Sequence, residues 1–153
     1  FGAFTPDWLN STTWAMVAIV IVSIWQGVGF QMVILLAALQ DVPTERYEAA
    51  AIDGANTWQQ FRFVTVPGIR NQLVFVLTVT TILAMRLFDQ PTLMPRSPGG
   101  PLDSTRTAMV HMVDIGFGRQ AIGRGSAVAV MFFIIVLAMT LIQRRLLRED
   151  DTQ

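Results

Sequence analysis

The sequence predicts an all-α, polytopic membrane protein with three transmembrane helices, and three observations predict it. The 153 residues are 52% hydrophobic and 14% charged, against roughly 25% charged in ordinary soluble domains. Three apolar stretches, residues 13–39, 73–88 and 126–142, contain one charged residue between them, Arg86. The two segments that separate them hold six of the seven prolines and most of the charge. One transmembrane domain over residues 1–153 follows. Composition also excludes several chemistries. The formal charge is zero, so no broad basic field attracts nucleic acid. All eleven basic residues are Arg, which removes Schiff-base and P-loop lysine chemistry. There is no Cys and a single His, so thiolate nucleophiles, disulfides and Cys- or multi-His metal sites are absent from the sequence.

The first stretch, 13–39, is 27 residues without a charge. As a helix it reaches about 40 Å, enough to cross a hydrocarbon core of about 30 Å with tilt. A secretory signal peptide is a poorer reading, because no basic region precedes the run and the run is too long. The second stretch, 73–88, is shorter and carries Arg86 near its end. The third, 126–142, ends in Gln143-Arg144-Arg145. The chain opens on Phe1 in mid-pattern, which reads as the continuation of a longer sequence.

Orientation follows from basic residues near the span ends. Residues 1–12 have none, whereas Arg144, Arg145 and Arg148 follow the third span. This places the tail and the loop 40–72 inside, and residues 1–12 with the loop 89–125 outside. The outer loop's Arg96, Arg106, Arg119 and Arg124 run against the rule. That loop holds Pro91, Pro95, Pro98 and Pro101 and a Gly99-Gly100 turn.

The inner loop reads as helix, glycine, helix. Asp41 or Thr44 suits the cap of its first helix, and Glu45 and Glu48 lie in early turns where the helix dipole favours anions. Ala49, Ala50 and Ala51 supply propensity and a nearly bare surface. Gly54 suits the left-handed position after a helix end. Thr57 and Gln60 have capping-box spacing for the second helix, which carries Trp58, Phe61 and Phe63 before Pro67 stops it. Those aromatics face either a partner's groove or the membrane interface.

Glu48-Ala49-Ala50, three residues, Gly54, nine residues and Val64-Thr65-Val66-Pro67 together resemble the signature loop of ATP-binding-cassette importer permeases. That pattern is Glu-Ala-Ala, three, Gly, nine, Ile-x-Leu-Pro, with Val64 and Val66 as conservative departures. Asp53-Gly54-Ala55 and Phe61 extend the match towards the carbohydrate-uptake branch. Trp25, Ala38-Leu39-Gln40 and Pro43 resemble the approach to the signature in sugar permeases. Phe88-Asp89, Gly99-Gly100-Pro101, Thr105 or Thr107, Phe117 and Gly125-Ser126-Ala127 follow in the order of the maltose- and glycerol-phosphate-type members. Residues 93–98 depart from the family's usual run before Gly-Gly-Pro.

The resemblance implies the carboxy-terminal portion of a six-span-type permease core in a bacterial cytoplasmic (inner) membrane. It implies that the loop 40–72 is the coupling helix region, with Glu48, Ala49, Ala50, Asp53, Gly54, Trp58, Phe61 and Pro67 facing a cytoplasmic ATPase dimer. ATP would be bound by that partner, so no cofactor is expected on this chain. A second permease subunit, an extracytoplasmic solute-binding protein and membrane lipid are the other implied partners. The solute would be a sugar or a sugar-like compound.

Other features carry less. Gly118 to Ser126 is spaced loosely like a P-loop, but Arg124 stands where Lys is needed and Gly125 where Ser or Thr is. His111, with no second His, reads as structural. Arg86 and Asp89, three apart, are placed to pair on one helix. Gly125 and Ala129 are spaced to let a helix approach closely. By depth, Ser23, Trp25 and Gln26 in the first span and Thr78 and Thr81 in the second are the candidate solute path; interhelical hydrogen bonding is the alternative use of the same groups. Two other functions fit less of the chain: a small membrane scaffold recruiting a cytoplasmic partner through its amphipathic loop, and a membrane enzyme, which lacks a plausible catalytic set.

The predicted topology is directly testable because cysteines can be introduced singly. A cysteine at Asn56 should resist an impermeant maleimide in intact cells and react after permeabilisation, while one at Ser97 should react in both. Labelling of the Asn56 position in intact cells would invert the topology.

Overall fold

A computed structural model describes residues 7–148, and among these the chain is helical with no strand. Three helices are long and apolar enough to cross a membrane: Trp14–Gln40, Arg70–Leu93 and Ile122–Arg145. Only 6% of each apolar window is buried within the chain. Their side chains therefore face outward, as with Val33 at 67% and Phe133 at 64% exposure. Surfaces of this kind belong in lipid or against other apolar helices. Residues 1–6 and 149–153, the ends of the predicted outer and inner termini, lie outside the described residues.

The first spanning helix, α1 (Trp14–Gln40), is 27 residues long and runs one residue past the predicted limit at 39. A short hairpin follows, α2 (Thr44–Ile52) and α3 (Thr57–Gln60). The helix then widens into a π-helical turn, Phe61–Thr65, and closes through α4 (Val66–Gly68). The second long helix, α5 (Arg70–Met85), begins three residues before the sequence limit at 73. It packs against both α1 and the third long helix, α8 (Ile122–Arg148).

At the far end of α5 the path is irregular. Arg86 terminates the helix and Phe88 (φ −130) breaks the backbone before α6 (Asp89–Leu93). Arg86 and Asp89 thus lie on different elements, and no ion pair joins them among the described residues. The expected helical spacing between them does not exist. Gly99 and Gly100, at φ +87 and +75, turn the chain back with backbone hydrogen bonds from Gly99 to Pro91 (3.0 Å) and from Thr105 to Gly99 (2.9 Å). A β-carbon at Gly100 would lie 2.5 Å from the Thr105 hydroxyl, and Thr105 is fully buried.

A short helix, α7 (Ala108–Val113), follows and carries His111. Its N-cap Thr107 accepts from the Val110 amide (3.3 Å) and donates to the Leu87 carbonyl (2.7 Å), tying it to the end of α5. A second π-helical turn, Asp114–Gly118, leads to α8. Asp114 is held between Arg106 (3.4 Å) and Arg119 (3.0 Å).

The third span begins four residues before the predicted 126, so Gly123, Arg124 and Gly125 belong to the helix rather than to the outer loop. Gln120, at φ +52, makes the turn into it. Packing explains the early start. Gly125 lies on Gly116, so close that a β-carbon at 125 would stand 2.7 Å from the Gly116 α-carbon. The segment with P-loop-like spacing is therefore a packed helix start. Gly118 sits over the Asp114 carboxylate, 2.9 Å from where a β-carbon would be, and that charge opposes a phosphate.

Gly125→Ala should lower the melting temperature in detergent, because the opposing atoms are backbone and cannot turn aside; a cost of about 1–3 kcal/mol is expected for such overpacking. Gly123→Ala, which meets nothing within 4 Å, should be neutral or stabilising by up to about 1 kcal/mol through helix propensity. Equal melting of the two variants would show that the Gly116–Gly125 contact does not set the packing.

Candidate functional site

Two features stand out: an uncovered helical hairpin between α1 and α5, and a cavity between the same two helices nearer α6. The hairpin is built from local backbone chemistry. Pro43, in extended conformation (φ −60, ψ 133), occupies the N-cap position of α2, and no side chain caps it. Neither Asp41 nor Thr44 performs the role expected from the sequence. Asp41 is the C-cap of α1, and Thr44 is already helical.

The exit from α2 conforms to expectation. Gly54 has φ +78, and the amide of Ala55 donates to the Ala50 carbonyl (2.9 Å), the six-to-one bond of a Schellman ending. A β-carbon at Gly54 would meet nothing within 4 Å. Backbone conformation, not space, is what calls for glycine there.

The capping box sits one residue earlier than Thr57 and Gln60. Asn56 accepts from the Gln59 amide (2.9 Å), and the Gln59 side chain accepts from the Asn56 amide (2.8 Å). Asn56 has the extended geometry of an N-cap (φ −75, ψ 169), and Asn is at least as good a cap as Thr. Gln60 instead donates to the Ala55 carbonyl (3.3 Å).

Pro67 does not stop the helix. A proline inside a helix loses one amide donor and crowds the carbonyl four residues back, here that of Phe63. The π-helical turn Phe61–Thr65 widens the helix at that place and lets the run continue to Gly68. The break comes at Ile69 (φ −102, ψ 12), directly before α5.

The hairpin's surface is open. Glu48, Ala49, Asp53, Gly54 and Pro67 are exposed, and Ala50 is half-buried. Trp58 and Phe61, 68% and 48% exposed, stack with ring centroids 5.6 Å apart. Phe63 is also exposed, at 68%. An aromatic pair rigid enough to stack and left uncovered is a surface suited to burial by a partner.

The cavity holds about 720 Å³ and is walled by α1 and α5, with Phe88, Asp89 and Gln90 at one end. Ser23 and Gln26 line it as anticipated. Trp25 is 80% exposed and is not part of the wall. Thr78 and Thr81 are not part of it either; each hydroxyl returns to the carbonyl four residues back, Val74 and Leu77, at 2.8 Å. Ser23 makes the same kind of bond to Ile19.

The polar wall is completed by residues the sequence reading passed over: Gln31, Thr80 and Gln90, with Arg86 alongside. The Gln31 amide donates to the Thr80 hydroxyl (2.9 Å), joining α1 to α5, and the Gln90 amide donates to Gln26 (2.7 Å), joining α6 to α1. Helical spacing was the available signal for one of them. Gln31 follows Ser23 and Gly27 at successive intervals of four, on one face of α1. Phe30 and Phe88 supply aromatic surface in the same cavity.

Comparison with known proteins yields one family. Residues 1–149 match the model for "Binding-protein-dependent transport system inner membrane component". The chain is 34% identical over 146 residues to a probable starch degradation products transport system permease protein of Thermoanaerobacterium thermosulfurigenes, covering 95% of this chain and 49% of the relative. It is 35% identical over 144 residues to a sulfoquinovosyl glycerol transport system permease protein of Agrobacterium fabrum, covering 94% and 46%. A trehalose/maltose transport system permease protein of Thermococcus litoralis is 34% identical over 142 residues, covering 92% and 47%. The chain spans about half the length of the curated relatives it matches.

The capping assignment makes a sharp prediction. Asn56→Ala should destabilise the hairpin by about 1 kcal/mol, read as faster hydrogen exchange at the Gln59 amide. Thr57→Ala should leave that amide unchanged. The reverse pattern would restore the cap to Thr57.

Proposed function

The chain belongs to the family of binding-protein-dependent transport system inner membrane components, and from that premise we propose that it forms part of the translocation path of an ATP-driven importer for a sugar or sugar-like solute. The observation that carries the proposal is the hairpin. It presents Glu48, Ala49, Ala50, Asp53 and Gly54, with the stacked Trp58 and Phe61, uncovered between two helices of membrane length. In this reading residues 1–153 are one transmembrane domain with the hairpin and tail in the cytoplasm. The hairpin is the surface on which a cytoplasmic ATPase dimer docks, with the exposed Pro67 on the same run shortly before its break at Ile69.

ATP is bound and hydrolysed by that partner, and a second permease subunit and an extracytoplasmic binding protein complete the path. Ser23 and Gln26 contribute to solute passage, joined by Gln31, Thr80 and Gln90. Amide and hydroxyl groups beside Phe30 and Phe88 provide the mixture of hydrogen-bonding and flat apolar surface that a sugar ring requires. Trp25, Thr78 and Thr81, which lie off the cavity wall, are assigned to lipid-facing or interhelical contacts. The relatives' names, which include starch degradation products, sulfoquinovosyl glycerol and trehalose/maltose, support a carbohydrate-like cargo. The cavity favours transport over a scaffold, which needs only the hairpin.

The test is made in the whole subunit that carries this chain, expressed with its ATPase, second permease and binding protein. Glu48→Arg opposes docking by charge, and Gly54→Val strains a left-handed turn by roughly 1–2 kcal/mol. Both should reduce uptake of a labelled oligosaccharide panel by about tenfold or more, equivalent to ~1.4 kcal/mol of lost coupling, with membrane insertion intact. Unchanged uptake in both variants would remove the hairpin from the mechanism.

A further inference from the structure

The α2 helix has no buried residue. Glu45, Arg46 and Glu48 are exposed, as are Ala49 and Ala51. A helix so little embedded would move freely against the rest of the chain unless something ties it down. Only Tyr47 and Ala50 are half-buried on its surface, and Tyr47 makes the contact with the core. Its ring packs against a small core formed by Ala38 and Val42 at the end of α1 and Ile69 at the start of α5, joined by Val64 and Leu73. Its hydroxyl lies 3.0 Å from the hydroxyl of Thr65. Thr65 is 8% exposed and closes the π-helical turn.

These bonds form a continuous chain from α2 to α5. The Tyr47 and Thr65 hydroxyls share one hydrogen bond, in which either can donate, and the Thr65 hydroxyl also lies 3.5 Å from the Gln60 carbonyl. The Thr65 carbonyl accepts from the Ile69 amide (3.1 Å), and the Ile69 carbonyl accepts from Leu73 (3.0 Å) in the first turn of α5. Gly68 presses on Val42, with a would-be β-carbon 3.0 Å from its side chain. One tyrosine therefore connects α2 to both helices that wall the cavity: to α5 through Thr65 and Ile69, and to α1 through Val42 and Ala38.

We propose that the Tyr47–Thr65 hydrogen bond is the tether that converts displacement of the docked α2 helix into movement of α1 and α5. This rests on the reading of the hairpin as an ATPase-docking element and adds to it the positioning residues that carry the stroke. Neither Tyr47 nor Thr65 lines the cavity. Their role is to make α2, the π-helical turn and the start of α5 move as one body. The close packing of Ala38, Val42 and Ile69 does not suffice alone, since apolar contacts slide at little cost whereas a hydroxyl pair fixes register.

The experiment uses the complete transporter in proteoliposomes, with the whole subunit carrying this chain. A single cysteine at Leu83, in the cavity wall, reports its accessibility to a maleimide with and without a non-hydrolysable ATP analogue and Mg²⁺. A cross-link from Asp53→Cys to the ATPase reports docking. Tyr47→Phe and Thr65→Val each delete one hydroxyl and keep the packing shape.

Each should retain the docking cross-link while the nucleotide-dependent change in Leu83→Cys labelling falls by roughly fivefold, the equilibrium effect of one hydrogen bond. The double variant should be no worse than either single one. Thr65→Ser, which keeps the hydroxyl, should respond like the parent. Parental labelling changes in Tyr47→Phe and Thr65→Val would overturn the tether, as would failure of Thr65→Ser or loss of docking in the hydroxyl deletions, since either marks a purely structural role. If the parent protein itself neither cross-links nor responds to nucleotide, the docking reading fails, and the tether fails with it.

Discussion

In hydrocarbon there is no water to satisfy a backbone amide or carbonyl, so each must be bonded within its own helix. The rest of this structure depends on that constraint. The centres of the three long apolar elements are regular helix, and the irregular backbone occurs outside them: the hairpin's turn, both π-helical turns and the left-handed glycines. The same rule governs side chains. Ser23, Thr78, Thr80 and Thr81 each give a hydroxyl proton to the carbonyl one turn back, at 2.7–2.8 Å. A hydroxyl that donates inward presents only its acceptor lone pairs to neighbours. Thr80 uses them to receive Gln31, which is how α1 and α5 are joined at depth.

Much of this was legible in the sequence because it follows from local chemistry or bulk hydropathy. A 27-residue run without a charge leaves little choice of structure for α1, and Gly54 after an alanine-rich helix announces a left-handed ending. What escaped depended on partners distant in the chain. The early start of α8 is set by Gly116, nine residues before Gly125, and a loop-like glycine run gave no sign of it. The π-helical turn before Pro67 is a compromise between a missing amide and a continuing helix, and residue preference alone favoured termination. Thr80 was hidden between Thr78 and Thr81. Only the pairing of α1 with α5 singles it out.

The two functional regions differ in kind. The hairpin is stabilised within itself by its Schellman ending and capping box, and it meets the rest of the chain through one small core. The cavity is the opposite, a space that exists only because separate helices are held apart and bridged by amides. A preformed hairpin can be gripped without deforming. A cavity bridged by two single hydrogen bonds, Gln31 to Thr80 and Gln90 to Gln26, can be opened at modest cost. Under the proposed function, this puts stiffness at the docking surface and compliance where space must change.

The stacked pair of Trp58 and Phe61 has a consequence for biogenesis. With the hairpin in the cytoplasm, as proposed, this aromatic surface stands in water beside Phe63 until a partner covers it, the type of patch that aggregates or attracts chaperones and proteases. A cell that synthesises the subunit in excess of whatever covers the hairpin accumulates molecules marked as incomplete by their own surface. Matched synthesis rates, or prompt disposal of orphans, become a requirement of the fold itself, imposed by two side chains.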